Sequence, residues 1–457
     1  MKPAAAWLAW AGLCAVLAGC ASERPRIEDY LPRAPLPQHA PAHAAEPPAR
    51  PLTLDAAVRI ALDNNPLLRA AREGVAAARE AVGEARAPYF PRISGIGGFG
   101  RLEAHDLVVT GTRGIDIGPD NSYTFLGILT WDIYDFGYRH AQLKAAMARA
   151  TAAGEEAARA RQDIALNVSL AFHTLRAADE NLDAAKRAAE RADDHVRLAR
   201  ERQAVGAAPE ADVLRARVEA GNARLELVRA HSQVRLARGD LNTAMGLPVE
   251  LPVDVAAPAE EILAPDQVDL TAAFDRALYN RPELRRQLAR VDEARRSADA
   301  ARASLYPRLT LDAFYLQQGQ TFFPEGRAWL YGAFIQYPLF EGFATRRRLS
   351  RSKAELRRAD AEAADAVLQV RSEVWTTLQQ LREAWEAVAA AALLVEDSNE
   401  SLRIAVERYS VQAGTVTELL DAQAALVRAE ASLIRARADY RSASARLLRA
   451  QGILPVE

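Results

Sequence analysis

Few side chains in this 457-residue sequence are spaced for catalysis or for holding a metal. The stretch "GIGGFG" at 95–100 fits G-x-G-x-x-G, whose glycines can bring backbone amides against a pyrophosphate. It follows a helical pattern and opens no second one, so the strand–turn–helix setting which that chemistry needs is missing. Small residues in a strand account for it better. The seven histidines are scattered, two of them (His39, His43) in a proline-rich leader, and no His-x-x-x-His pair or Ser/His/Asp set emerges. Glu418 and Asp421, three apart, share one helix face. No enzyme class, cofactor or metal is indicated.

The charge balance excludes a nucleic-acid binder: 58 basic and 60 acidic residues are interspersed, for a net −2, with no basic block. The start, "MKPAAAWLAWAGLCAVLAGC", gives one basic residue, an apolar run and then small residues, the pattern of a secretory signal too short to be a spanning helix. Its end, "LAGC" at 17–20, resembles the bacterial lipobox, which implies a signal peptide over 1–19 and an acyl chain of palmitate type on Cys20. Cys14 would leave with the signal, so Cys20 would be the one cysteine remaining and no disulfide could form within the chain. Ala21 stands where aspartate would mark inner-membrane retention, so the resemblance points to the outer membrane. Residues 20–51 are rich in proline and read as an extended tether, reaching roughly 90 Å at about 3.1 Å per residue.

The elements repeat. "LDAAVRIALDNNPLL" (54–68) aligns without gaps on "LTAAFDRALYNRPEL" (270–284), and "ARAPYFPRI" (85–93) on "ARASLYPRL" (301–309), both at an offset of 216 residues. "RERQAVGAAPEADVLRA" (200–216) falls on "VERYSVQAGTVTELLDA" (406–422) at an offset of 206, and the halves close on "MGLP" and "QGILP". Self-similarity of this length is duplication: a first repeat over 52–248, a linker over 249–269 and a second repeat over 270–457.

Each repeat holds one long helix and two short ones. Ile164, Val168, Ala171, Leu175, Ala178, Leu182, Ala185, Ala189, Ala192, Val196 and Ala199 alternate steps of four and three, as do Leu381, Trp385, Val388, Ala392, Val395, Asn399, Leu402, Val406 and Tyr409. This is the 3.5 spacing of a coiled coil, with Asn399 a register-setting polar residue in the seam. The spacing predicts helices over about 139–203 and 345–410, the first roughly 95 Å long at 1.5 Å per residue. The shorter helices, about 66–87 with 209–245 and 282–303 with 415–451, sum to the same length and are expected to stack end to end alongside.

Between the helices lie segments that alternate instead. In 307–340, Leu309, Leu311, Ala313 and Tyr315 oppose Thr310 and Asp312, and Tyr331, Ala333, Ile335, Tyr337 and Leu339 oppose Gly332 and Gln336, around a turn with Pro324 and Gly326. That is a β-hairpin. Its counterpart is Arg92–Gly100 with Tyr123–Tyr134, around a loop at 106–121, within the hairpin 92–134. Strands of about ten residues with aromatic ends have the length that crosses an outer membrane. Four strands cannot stand open in lipid, because unpaired edge amides cost several kcal/mol each, so copies of the chain must close the barrel. Three copies would give twelve strands; two would give eight.

Together, lipobox, duplicated "AL..N.P.L" helix, "A...YP.L", strand pair, "PLF.GF", coiled coil and a "VG....DV..A" tip resemble the TolC-like outer-membrane efflux channels, lipid-anchored members of the NodT and OprM kind. The match covers about 52–455. The resemblance implies a mainly α fold with a β-barrel portion: a homotrimer whose four strands per chain make a twelve-stranded outer-membrane barrel, continued by a periplasmic α-barrel of long antiparallel helices. It implies a passive exit duct, opened at its helical tip on docking a periplasmic membrane-fusion adaptor and an inner-membrane transporter, with the resistance-nodulation-division type favoured. By the same resemblance Val205, Gly206 and Ala207 match the adaptor-contacting turn of the first tip, and Val411, Gln412, Ala413 and Gly414 that of the second. There Gln412 stands where glycine is expected. Glu418 and Asp421 match acidic positions at the periplasmic constriction, with Asp212 and Tyr409 candidates for the hydrogen bond holding neighbouring hairpins closed. A lipid-anchored coiled-coil spacer or adaptor without a channel is the alternative.

Overall fold

The computed structural model describes residues 51–102, 120–256, 268–319, 321–322 and 326–454. The expected signal peptide, Cys20 and the tether to residue 50 lie outside the described residues, as do 103–119, most of the 106–121 loop, and Pro324 in the second turn.

The elements run α1 (Leu54–Asn64), α2 (Pro66–Arg86), β1 (Arg92–Leu102), β2 (Asp120–Tyr134), α3 (Tyr138–Ala204), α4 (Glu210–Met245), α5 (Leu270–Asn280), α6 (Pro282–Ala303), β3 (Arg308–Gly319), β4 (Gly326–Gln336), α7 (Ala344–Ser410) and α8 (Val416–Ala450). The long helices are 67 residues each. As expected, α2 and α4 both lie along α3, while α6 and α8 both lie along α7; α3 also packs on α6 and α8. The helices therefore form a wall in the order α2/α4, α3, α6/α8, α7. The four strands continue that order as one antiparallel sheet, β1-β2-β3-β4. Tyr337 and Leu339, expected to extend the last strand, lie beyond its end at Gln336.

The seam of α3 follows its heptads: eight of the eleven positions from Ile164 to Ala199 are buried and the rest are half-buried. Many are alanine, each contributing about 0.8 kcal/mol per buried CH2. The seam of α7 follows the expected phase at Leu381, Val388, Val395, Leu402, Val406 and Tyr409, which are buried or half-buried, but not at the three positions between the first four of them. Asn399 and Ala392 are exposed and Trp385 is largely so, while Ala384, Ala391 and Ser398 are buried in their place. Asn399 is thus a surface residue, not a polar seam position. The run "AVAAAALLV" (387–395) offers an apolar residue on either phase, so periodicity alone could not choose.

Two glycines close the repeats. Gly246 (φ 73°) after α4 and Gly452 (φ 72°) after α8 turn the chain back in left-handed backbone. A Cβ on Gly246 would meet the Asn64 carbonyl at 3.0 Å, and one on Gly452 the Asn280 carbonyl carbon at 3.0 Å. Each repeat end is thereby packed on the break before its own Pro66 or Pro282 helix.

The aromatic–proline breaks found twice in the sequence sit at the passage from helix to strand. Asp135 accepts from the backbone amides of Gly137 (3.1 Å) and Arg139 (3.0 Å), capping α3, and pairs with the Arg139 side chain at 2.7 Å. Arg139 in turn donates to the carbonyls of Pro88 and Ile133, both at 3.1 Å. One guanidinium so ties the end of α2, the end of β2 and the start of α3.

Candidate functional site

In an antiparallel sheet directly paired residues share a face. The register couples Ile93 to Leu129 and Leu129 to Ala313, then Ala313 to Tyr331. That face also carries Phe99, Tyr123, Phe125, Trp131, Tyr315 and Trp329, with Phe99–Tyr123 and Tyr315–Trp329 ring pairs at 4.9 and 5.3 Å. The opposite face couples Ser94, Ile128, Phe314 and Leu330, and it holds Arg92, Thr124, Thr130, Thr310, Asp312, Gln318 and Gln336. One face is apolar and aromatic, the other mixed and polar. The alternation expected for 307–340 lands on these two faces, and the 95–100 glycines lie in β1, the next described element being β2. Among the described residues no helix is long and apolar enough to cross a membrane.

At the other end of the wall the two helical turns have the same geometry. The amide of Ala207 donates to the Arg202 carbonyl and that of Ala413 to the Arg408 carbonyl, both at 2.8 Å. Val205 and Val411 cap the long helices with their side chains 79 % and 71 % exposed. Gly206 has φ 74° and Gln412 has φ 68°, so glutamine adopts the backbone that the resemblance reserved for glycine. Gly414 does not take over that role. Left-handed backbone costs a side chain roughly 1 kcal/mol, so Gln412→Gly is expected to stabilise the second tip by about 0.5–1 kcal/mol after the entropy of the freer chain is discounted. Amide hydrogen exchange across 407–416 should slow in that variant, and faster exchange would contradict the strain.

Tyr409 is 2 % exposed, and its hydroxyl is buried with no hydrogen-bond partner among the described residues. Burial first, then the charge of Asp212, pushes its phenol above the ordinary range. Asp212 pairs with Arg215 at 3.5 Å; its charge reaches Tyr409, but within the chain the two are not hydrogen-bonded. What joins the tips within one chain is Arg202: its guanidinium lies 4.2 Å above the Tyr409 ring and donates to the Tyr409 carbonyl. Sequence reasoning missed Arg202, although its repeat counterpart Arg408 stands 206 residues on and each donates to a carbonyl of its own turn, Arg202 to Ala207 at 3.4 Å and Arg408 to Ala413 at 3.1 Å. Glu418 is capped at its amide by Thr415 and lies 3.8 Å from Arg408. Asp421, one turn on, is exposed.

The model of the family described as outer membrane efflux protein matches residues 57–247 and 273–452, once per repeat. The chain belongs to that family. It is 27 % identical to protein CyaE of Bordetella pertussis over 97 % of this chain and 94 % of that one. It is 26 % identical to the probable efflux pump outer membrane protein TtgC of Pseudomonas putida over 96 % and 93 %. The CmeC outer membrane channel of Campylobacter jejuni shares the fold, with a TM-score of 0.76 at 18 % identity, over 88 % of this chain and 86 % of that one. As an outer membrane efflux protein the chain is a transport component of the outer membrane, its sheet the membrane part and its helices the periplasmic part.

Proposed function

We propose that the mature protein is a passive exit duct: three chains, anchored by a lipid on Cys20, close a twelve-stranded barrel and a helical tunnel that an adaptor and an inner-membrane pump open at the tip. The observation that carries this reading is the pair of uncovered edges. Along α7, Leu368, Trp375, Leu393 and Ile404 are exposed and lie within about 20° of one another at 100° per residue. Along α4, Leu214, Val218, Leu225, Val228 and Leu236 are exposed within about 80° by the same measure. These stripes flank the wall on opposite sides, as β1 and β4 flank the sheet. Joining α7 and β4 of one copy to α4 and β1 of the next covers both stripes and pairs both strand edges. A spacer without a channel has no use for a four-stranded sheet with two open edges and an aromatic face.

Val205, Gly206 and Ala207, with Val411, Gln412, Ala413 and Gly414, are the exposed turns at which the adaptor docks in this reading. A pump of the resistance-nodulation-division type completes the path. Glu418 and Asp421, repeated by symmetry, form carboxylate rings that attract cations and, by mutual repulsion, favour opening. Replacing both by alanine is expected to lower the cation preference of the reconstituted channel in planar bilayers several-fold. Unchanged selectivity and conductance would refute the assignment of the rings.

A further inference from the structure

At the junction of sheet and helices, the four linking segments 86–92, 131–140, 302–308 and 336–348 carry eight arginines against three carboxylates. Arg139 is satisfied by Asp135. Glu341 is taken by the Thr345 hydroxyl at 2.5 Å. Arg308 lies over the Tyr138 ring at 5.6 Å. Arg86, Arg92, Arg302 and the run Arg346–Arg347–Arg348 have no ion pair among the described residues. The three consecutive arginines are exposed and, at 100° per residue, spread over about 200° of the helix surface. They open α7, where cations are disfavoured by the helix dipole, so helix stability does not explain them.

Two adjoining concavities lie beside them. One, of about 210 Å3, is walled by Leu305, Leu339, Phe340, Phe343 and Arg346. The other, of about 540 Å3, is lined by Asp135, Arg308, Gln336, Tyr337, Glu341 and Arg348. In the first of them the Phe340 and Phe343 rings meet edge to face at 5.6 Å, while Arg308 and Gln336 of the second are a directly paired couple on the polar face of the sheet. Arginines without partners beside aromatic rings and a hollow of mixed apolar and polar lining are the surface that a phosphodiester headgroup and the start of its acyl chains complement.

We propose that this arginine collar seats anionic phospholipid headgroups of the periplasmic leaflet, with Arg346, Arg347 and Arg348 as the principal contacts. The inference rests on the channel reading in one respect: the strands must lie in the bilayer for the collar to stand at headgroup depth. Each arginine near an anionic surface is worth about fivefold in binding.

The test is native mass spectrometry of the purified full-length protein, equilibrated in detergent micelles with equal phosphatidylglycerol and phosphatidylcholine. The wild type is expected to retain phosphatidylglycerol at least tenfold in excess. The triple variant Arg346→Gln, Arg347→Gln, Arg348→Gln should lose most of that excess while keeping its assembly and conductance, and the corresponding triple lysine variant should keep the excess. Equal retention of the two lipids by the wild type, or an excess untouched in the glutamine variant, would overturn the proposal. So would a glutamine variant that stays helical but separates into single chains, because the arginines would then be contacts to a second copy. Conductance of the same preparations reports on the channel reading independently.

Discussion

Replacing Leu129 by arginine is expected to keep the protein from assembling in the outer membrane, whereas arginine at Ile128, one residue earlier, is expected to be tolerated. The two positions sit at the same depth in β2 but on opposite faces. Leu129 is coupled to Ile93 and Ala313 on the aromatic face, and Ile128 to Ser94 and Phe314 on the face with Thr310 and Asp312. A cation facing lipid near the bilayer midplane costs about 2–4 kcal/mol per chain, and the cost recurs in every copy of a ring. Facing a water-filled lumen it stays hydrated. Heat-modifiable, detergent-resistant oligomers in outer-membrane fractions report the outcome. Equal loss in both variants, or loss in Ile128→Arg alone, would mean that the faces are assigned wrongly.

Glu283→Gln is expected to be the most destabilising change in the helical part. Arg449, at the end of α8, reaches Asp163 of α3 at 2.6 Å, Glu283 of α6 at 2.6 Å and Glu373 of α7 at 3.1 Å. Arg281, 3 % exposed, holds Glu283 at 3.1 Å and Glu373 at 2.5 Å. Four helices from both repeats thus meet on two buried guanidiniums. Burial works against the charge of Glu283, but the hydrogen bond and charge of Arg281, with Arg449, override it and draw the carboxyl down to about 2. Removing this carboxylate leaves buried cations short of a partner, a loss of about 3 kcal/mol or more.

The pH dependence has a definite sign. A carboxyl held below its ordinary value contributes stability that is present in full above about 4.5 and lost as pH falls through about 2. The gap in thermal midpoint between wild type and Glu283→Gln should therefore be wide at pH 7 and narrow towards pH 2. A gap that does not change with pH would show that packing, not charge, sets the effect.

Much of this architecture was legible because it is written in period and punctuation. The steps of four and three from Ile164 to Ala199 could be satisfied only by one helix face, and Pro88 and Pro307 could not continue a helix. The duplication then supplied each element twice. What was hidden lacks such a signature. Arg281 and Arg449 have no charged counterparts at Asn65 and Thr243 of the first repeat, and their partners lie up to 286 residues away. Repeat comparison therefore passes over them. At the tip, the glycine pattern located the turn, but only the backbone shows that Gln412 adopts the glycine conformation and that Arg202, not a Tyr409–Asp212 bond, joins the two hairpins of one chain. The stripes on α4 and α7 are visible as apolar residues. That nothing among the described residues covers them is a property of the wall.

Those uncovered stripes and the unpaired edges of β1 and β4 make ring closure the claim on which the exporter account stands. The mass of the detergent-purified particle tests it most directly. Three chains per particle is the predicted result, and a stable, folded single chain would contradict it.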